Sequence, residues 1–288
     1  MAGCSIILEH LGYGWQLFKQ SYSLAFKDRS LILLPLMDGA LVVFLIILFI
    51  VLMFESLSAT ATGALGGAGA MVIILVALLS FYILGIVASY FFRAAQIVCA
   101  TQVLEGKPSS VSFGLSAAWA KRKQLMTWMF FAPFASPMLY AASSSSDPRV
   151  QMMRSIKLAG GSFVGIGNTF VIPIMFYEDL EPKDAVWRNI DVLSRTWNLA
   201  LAGFIGMNII FTLAFCLGFG LFFVGFLAYA MTGIDMVFVA FLVAMLVEWA
   251  ITFNQYSATR NIMVAALYRF ARTGKLSMGY EKVFSRRA

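Results

Sequence analysis

Charged side chains are scarce in this sequence. Lys, Arg, Asp and Glu together make up 12% of its 288 residues, about half of the roughly 25% that is usual in soluble domains. Hydrophobic residues account for 61% of the chain, which is more than the few polar residues could shield from water. This composition excludes an ordinary soluble domain and indicates a protein that exposes much of its surface to lipid.

Metal-binding and redox-active residues are equally scarce. The chain has one histidine, His10, and three widely separated cysteines, Cys4, Cys99 and Cys216. Zinc sites need several Cys or His ligands at short spacing, and a disulfide framework needs an even number of cysteines. Phosphate-binding Walker loops, G-x-S-x-G elbows and nucleophile–base sets are also missing from the sequence. We therefore expect no cofactor, no metal centre and no enzymatic activity.

Acidic residues are fewer than basic ones, which leaves a net charge of +7. In a soluble protein such an excess would suggest nucleic-acid binding. In a membrane protein it is typical of cytoplasmic loops, which are rich in Lys and Arg and attract anionic lipid headgroups. We predict contact with a bilayer that carries anionic headgroups, and no nucleic acid.

Long apolar runs make up most of the remaining sequence. A helix needs about 20 apolar residues to cross the roughly 30 Å of a bilayer core, and continuous runs favour helices over a β-barrel. We predict an all-α polytopic membrane protein with one domain over residues 1–274 and a basic cytoplasmic tail over residues 275–288. The six predicted spans are residues 31–54, 70–92, 125–142, 158–176, 199–221 and 236–256.

The basic residues predict the orientation of these spans. With both termini inside, only three of the 21 basic residues, Arg149, Arg154 and Lys157, would lie outside. Lys and Arg are concentrated in cytoplasmic loops, so the count predicts insertion in the plasma (inner) membrane with both termini in the cytoplasm.

Three amphipathic segments precede the odd-numbered spans, at residues 5–29, 111–124 and 176–197. Aromatic and aliphatic residues recur in them at helical spacing, which is typical of helices that lie in the membrane interface. Two of them contain an apolar-Ser-x-x-Trp element that begins at Leu115 and at Leu193, while the first has Lys19 where the serine would stand. The pattern indicates either a threefold repeat or the common use of serine and aromatic residues at interfaces.

The third amphipathic segment opens with four acidic residues. Carboxylates near a helix N-terminus are stabilised by the helix dipole, and the same residues could alternatively bind a divalent cation. They are Glu178, Asp179, Glu181 and Asp184.

Polar residues inside the predicted spans are the candidate functional residues, because such groups are costly in a bilayer. Glu248, Asn208 and Asn168 have similar predicted depths near the middle of the membrane. They could converge on one polar site, or Glu248 could be hydrogen-bonded to Asn208 as structural support between helices. Asp38 and Arg93 lie towards the cytoplasmic ends of their spans and could form a structural ion pair, for which Arg260 is a rival partner.

The run from Phe170 to Trp197, FVIPIMFYEDLEPKDAVWRNIDVLSRTW, resembles the signature of a family of uncharacterised six-span integral membrane proteins, known as a domain of unknown function. The pairs Gly14-Trp15 and Leu34-Pro35 fit the same pattern, while Asn189 or Asp191 stands where a serine is expected. A more distant similarity is to the membrane domain of glycerophosphodiester phosphodiesterases, whose catalytic domain this chain lacks. The resemblance implies a membrane fold, and it carries no activity over to this chain because the family has no assigned chemistry. The residues of the run that fit the family pattern are Val171, Pro173, Glu178, Ala185, Ser194 and Trp197.

Two functions from different classes remain open on the sequence. The first is a non-enzymatic integral membrane protein that organises or partners with other membrane components, including a second copy of itself. The alternative is a transporter or channel-like protein for an ion or an amphipathic, lipidic substrate, with Glu248 in its intramembrane polar site. An enzyme acting on lipid is the least supported, because the sequence contains no catalytic set.

Overall fold

The computed structural model describes residues 15–64, 66–141 and 169–274, without the side chains of 133–141, 194–195, 197–199 and 201–202. These residues form helices joined by turns, and no strand occurs among them, in agreement with the predicted all-α fold. The helices are α1 (residues 15–25), α2 (Arg29–Ala61), α3 (Gly67–Leu104), α4 (Val111–Ala120), α5 (Arg122–Ala141), α6 (Val171–Tyr177), α7 (Pro182–Thr232) and α8 (Asp235–Thr273).

Local sequence signals explain several helix ends. The Asp28 carboxylate accepts a hydrogen bond from the Ser30 backbone N–H at 2.8 Å and caps α2, as short polar side chains do at helix N-termini. Pro182 opens α7, where its missing N–H costs nothing. Gly233 and Gly274 follow α7 and α8 with φ of 66° and 65°, a left-handed conformation that glycine adopts without strain.

Four helices in the described part of the chain are long and apolar enough to cross a membrane: α2, α3, the Gly203–Thr232 part of α7, and α8. They contain the predicted first, second and sixth spans and most of the fifth. The predicted third span falls on α5, which opens with the polar residues Arg122, Lys123 and Gln124 and does not reach the apolarity of the other four. Most of the predicted fourth span lies outside the described residues, and its end forms the short α6. Four candidate spans are therefore shown, and six stays a prediction.

The long helices extend well beyond the membrane-spanning runs. The 38 residues of α3 and the 39 of α8 correspond to about 57 and 59 Å at 1.5 Å per residue, about twice the hydrocarbon thickness. Beyond the predicted spans, α3 continues to Leu104 and α8 continues to Thr273. The third amphipathic segment is not a separate helix, because α7 runs for 51 residues through it and into the fifth span.

Buried side chains are concentrated at one end of the molecule. We call this end the base and define it as residues 15–34, 94–132, 169–207 and 258–274. Within it α1, α4, α5 and α6 pack around the ends of the long helices, and Trp128 and Phe170 are among its largest fully buried side chains. The base is where the four long helices are fixed relative to one another.

Two helical hairpins leave the base. The first arm is the α2–α3 hairpin over residues 35–93, and the second arm is the α7–α8 hairpin over residues 208–257. Contacts between helices of the two arms occur where α8 meets α2 and α3. In the most apolar stretch of each long helix at most 11% of the residues are buried, so the arms present most of their surface to their surroundings.

Candidate functional site

A polar layer marks the place where the arms join the base. Counted at 1.5 Å per residue from the far end of each helix, Asp38, Arg93 and Arg260 lie about 35, 39 and 38 Å along α2, α3 and α8. The hydrocarbon core takes up about 30 Å and each headgroup layer about 5 to 8 Å more. The three charged residues therefore share one level along the helices. A bilayer whose hydrocarbon core begins at the far helix ends would have its headgroup layer at this level.

A cavity of about 140 Å³ opens at this level between α2, α3 and α8. The structure thus brings the predicted pair, Asp38 and Arg93, to one cavity and adds the predicted rival, Arg260. The Ser89 hydroxyl donates a hydrogen bond to the Asp38 carboxylate at 2.9 Å, and the Arg93 guanidinium lies 5.8 Å from the centre of the Tyr90 ring. The polar and charged residues that line the cavity are Asp38, Ser89, Arg93, Gln96, Tyr256, Ser257, Arg260 and Asn261.

A proline in α2 explains the side-chain network beside this cavity. Pro35 lies inside the helix and has no N–H to donate to the carbonyl of Leu31, four residues earlier. The Gln96 side-chain amide donates to that carbonyl at 3.0 Å from α3, and the Asn261 amide of α8 donates in turn to the Gln96 carbonyl oxygen. One buried amide therefore restores the lost hydrogen bond and ties three helices together.

Gln96 is not among the site residues predicted from the sequence. The available signals were an amide near the end of an apolar run and a proline in another span, and no spacing relates the two.

Glu248 lies in a tight contact between α7 and α8. The Thr252 hydroxyl donates to Glu248 Oε1 at 2.7 Å, while Glu248 Oε2 is buried and has no hydrogen-bond partner among the described residues. Gly218 allows this approach, because a Cβ at that position would lie 2.5 Å from Glu248 Oε2. The indole of Trp249 stacks on Phe215 with ring centres 4.4 Å apart. Glu248 lines neither the cavity between α2, α3 and α8 nor the larger cavities of about 450 Å³ on the first arm and about 460 Å³ on the second arm.

Asn208 has a different environment. Its side-chain oxygen accepts a hydrogen bond from the Tyr256 hydroxyl at 3.1 Å, and it lines a cavity of about 460 Å³ on the second arm that also reaches Thr252. Asn168 lies outside the described residues. The structure therefore gives Glu248 and Asn208 separate partners, and the convergence of all three residues stays a prediction.

The acidic turn before α7 is held by cations of the base. The Arg188 guanidinium donates to Glu178 Oε2 at 2.8 Å, and this hydrogen bond raises the pKa of Arg188. The Tyr268 hydroxyl donates to the other Glu178 oxygen at 3.1 Å. Lys121 donates to Asp179, and this hydrogen bond lowers the pKa of Asp179. Two of the four predicted acids thus connect the turn to Lys121 between α4 and α5, to α7 and to α8.

The sequence profile of one family matches residues 70–278, which is more than two thirds of the chain, and its description is a family of unknown function, DUF6159. The chain belongs to this family. The DUF6159 match includes Arg93, Gln96 and Arg260, while Pro35 and Asp38 precede it. No curated protein and no solved structure matches the chain.

The prediction that the chain belongs to a family of unknown function is confirmed. Nothing in the comparisons bears on the more distant resemblance to glycerophosphodiester phosphodiesterases, which stays a prediction.

Proposed function

We propose that the protein is a non-enzymatic integral membrane protein that organises other membrane components from the cytoplasmic face of the plasma membrane. One observation carries this proposal, the contrast between the buried base and the open arms. Apolar helix faces that are not covered within a chain are covered by lipid or by helices of other proteins. The arms have the length and the exposed apolar surface for such contacts.

The outer faces of the base helices support a position at the membrane interface. Trp15, Tyr22 and Phe26 are exposed on or next to α1, while Leu17 and Ser21 of the same helix are buried. Aromatic side chains are enriched at the level of lipid headgroups. With the basic residues of the base facing the cytoplasm, both termini lie inside, as the charge distribution predicts.

The uses of the polar residues support a role without catalysis. Gln96, Asn261 and Glu178 are engaged in hydrogen bonds that join helices. Such bonds position helices, so these three side chains have a structural use in place of the nucleophile and base roles that covalent catalysis requires.

A direct test is co-purification from native membranes after cross-linking with a lipid-soluble reagent. We expect one membrane component, either a different protein or a second copy of this chain, at a fixed stoichiometry. Leu217 on α7 is 69% exposed and Val72 on α3 is 61% exposed, so a tryptophan at each position probes one arm at a time. If the partner contacts one of these positions, the tryptophan there should lower recovery of the partner. The tryptophan variant of the other arm is then the matched control. Recovery of the chain alone with lipid, in every variant, would contradict the proposal.

The transporter alternative is favoured by one observation, the cavity of about 460 Å³ that reaches Thr252, the hydrogen-bond partner of Glu248. Glu248→Gln distinguishes the two functions. A transporter should lose substrate flux in proteoliposomes with this variant, whereas an organising protein should keep its partner, because glutamine can still accept the Thr252 hydrogen bond.

A further inference from the structure

The cavity between α2, α3 and α8 contains an excess of positive charge. Arg93 and Arg260 both line it, and Asp38 is the one carboxylate among its lining residues. Two like charges that share one cavity repel each other, and the repulsion grows as water is excluded. A bound anion would remove this repulsion. The planar guanidinium groups suit the oxygens of a phosphate, which they can contact with two hydrogen bonds each.

The surroundings of the cavity indicate what else the anion carries. A groove of about 450 Å³ runs along the first arm, and Ser89 and Arg93 line both the groove and the charged cavity. Apart from these two residues and the tyrosines, the groove wall is apolar, with Leu45, Phe49 and Leu78 among its residues. A ligand that fits both spaces has an anionic head and an apolar chain.

The depth of the cavity selects a lipid over a soluble anion. Arg93 and Arg260 lie about 38 Å from the far ends of their helices, which is headgroup level for a bilayer whose hydrocarbon core begins at those ends. From there the groove extends along the first arm into the hydrocarbon region, which is where acyl chains lie. We propose that this cavity binds the phosphate of an anionic membrane lipid through Arg93 and Arg260, with an acyl chain in the groove between α2 and α3. This inference does not depend on the organising function.

The test measures lipid retention by native mass spectrometry on the full-length protein, purified with phosphatidylglycerol or with phosphatidylcholine of the same chain length. We expect preferential retention of phosphatidylglycerol by the wild-type protein. Arg93→Gln and Arg260→Gln should each lower that retention about tenfold, as expected for the loss of one charge-assisted contact. Equal retention of the two lipids, or unchanged retention in both variants, would overturn the proposal.

Two further variants separate a specific site from general attraction to cations. Arg122→Gln removes the same charge elsewhere in the base, where the guanidinium lies 5.4 Å from the centre of the Trp119 ring, and it should leave retention unchanged. Asp38→Asn removes the competing carboxylate of the cavity and should increase retention. If Arg260→Gln fails to fold, Arg93→Gln and Asp38→Asn decide the question, because opposite shifts in retention require an anion in the cavity. Equal losses in Arg122→Gln and Arg93→Gln would overturn the proposal.

Competition distinguishes the source of the phosphate. Inorganic phosphate lacks an acyl chain and should fail to displace phosphatidylglycerol at millimolar concentration. Displacement at that concentration would overturn the assignment to a lipid and show a site for a soluble phosphate.

Discussion

Replacing Gln96 by leucine should destabilise the joint between the first arm and α8. The side chain of Gln96 donates to the Leu31 carbonyl at 3.0 Å and accepts from the Asn261 amide, and it is almost fully buried. Leucine has a similar volume, so the change removes the hydrogen bonds and leaves little empty space. The Leu31 carbonyl remains unpaired in the variant because Pro35 cannot donate to it.

The expected magnitude follows from the number of groups that lose a partner. A buried polar group without a hydrogen bond costs about 1–3 kcal/mol, and Gln96→Leu leaves two such groups, the Leu31 carbonyl and the Asn261 amide. The free energy of unfolding should therefore fall by about 2–6 kcal/mol. Gln102→Leu is the matched control, because Gln102 is a half-buried amide of the same helix outside this network. Its cost should stay within about 0.5 kcal/mol.

A double-mutant cycle with Pro35→Ala isolates the cause. The new N–H at position 35 can donate to the Leu31 carbonyl, so Gln96→Leu should cost about 1–3 kcal/mol less in that background. Unfolding by SDS in mixed micelles, followed by helical circular dichroism, measures all four proteins. If Gln96→Leu costs the same with proline as with alanine at position 35, Gln96 does not compensate for the proline and the reasoning is refuted.

Two further predictions concern the second arm and the acidic turn. Gly218→Ala should lower the thermal midpoint of unfolding, because a Cβ there would lie 2.2 Å from Trp249 Nε1. Gly220→Ala on the same helix is the control and should be neutral, because a Cβ there meets nothing within 4 Å. Equal effects of the two variants would contradict this contact. The Asp179 carboxyl has a pKa below its usual 3.8 because Lys121 donates to it. The pair therefore stabilises the fold above the unfolded-state pKa of about 4, and this contribution disappears as the pH falls through the lower folded-state pKa. Lys121→Gln should therefore reduce the loss of thermal stability between pH 5 and pH 3, and an identical loss in the wild-type protein and the variant would argue against the pair.

The membrane character and the helices were accessible from composition and local pattern. Apolar runs of span length gave the positions of α2, α3 and α8. Residue type also accounts for two helix ends, since α7 begins at Pro182 and α8 ends before Gly274. Each of these features depends on residues that are close together along the chain, so it can be predicted from a single sequence. The third predicted span lacks such a continuous local signal, because α5 combines a basic start with two internal prolines, Pro133 and Pro137.

The candidate site was accessible only in part. Asp38, Arg93 and Arg260 were recognisable as charged residues near the ends of apolar runs, and their common depth follows from counting residues. That they share one cavity depends on how three helices are rotated about their axes. The spanning parts of these helices are apolar on nearly every side, so they have no hydrophobic face from which a rotation could be read.

The sequence by itself determined that this chain is an all-α membrane protein, where the apolar runs of α2, α3 and α8 lie, and which charged residues stand near the ends of those runs. Composition and periodicity specify these properties because each is local along the chain. The tertiary structure alone decided that Gln96 pairs with the carbonyl freed by Pro35 and that Glu248 packs on Gly218. The same holds for the two arginines that face one cavity. Each of these contacts joins residues from different helices, and its geometry is set by packing, which local sequence patterns do not specify.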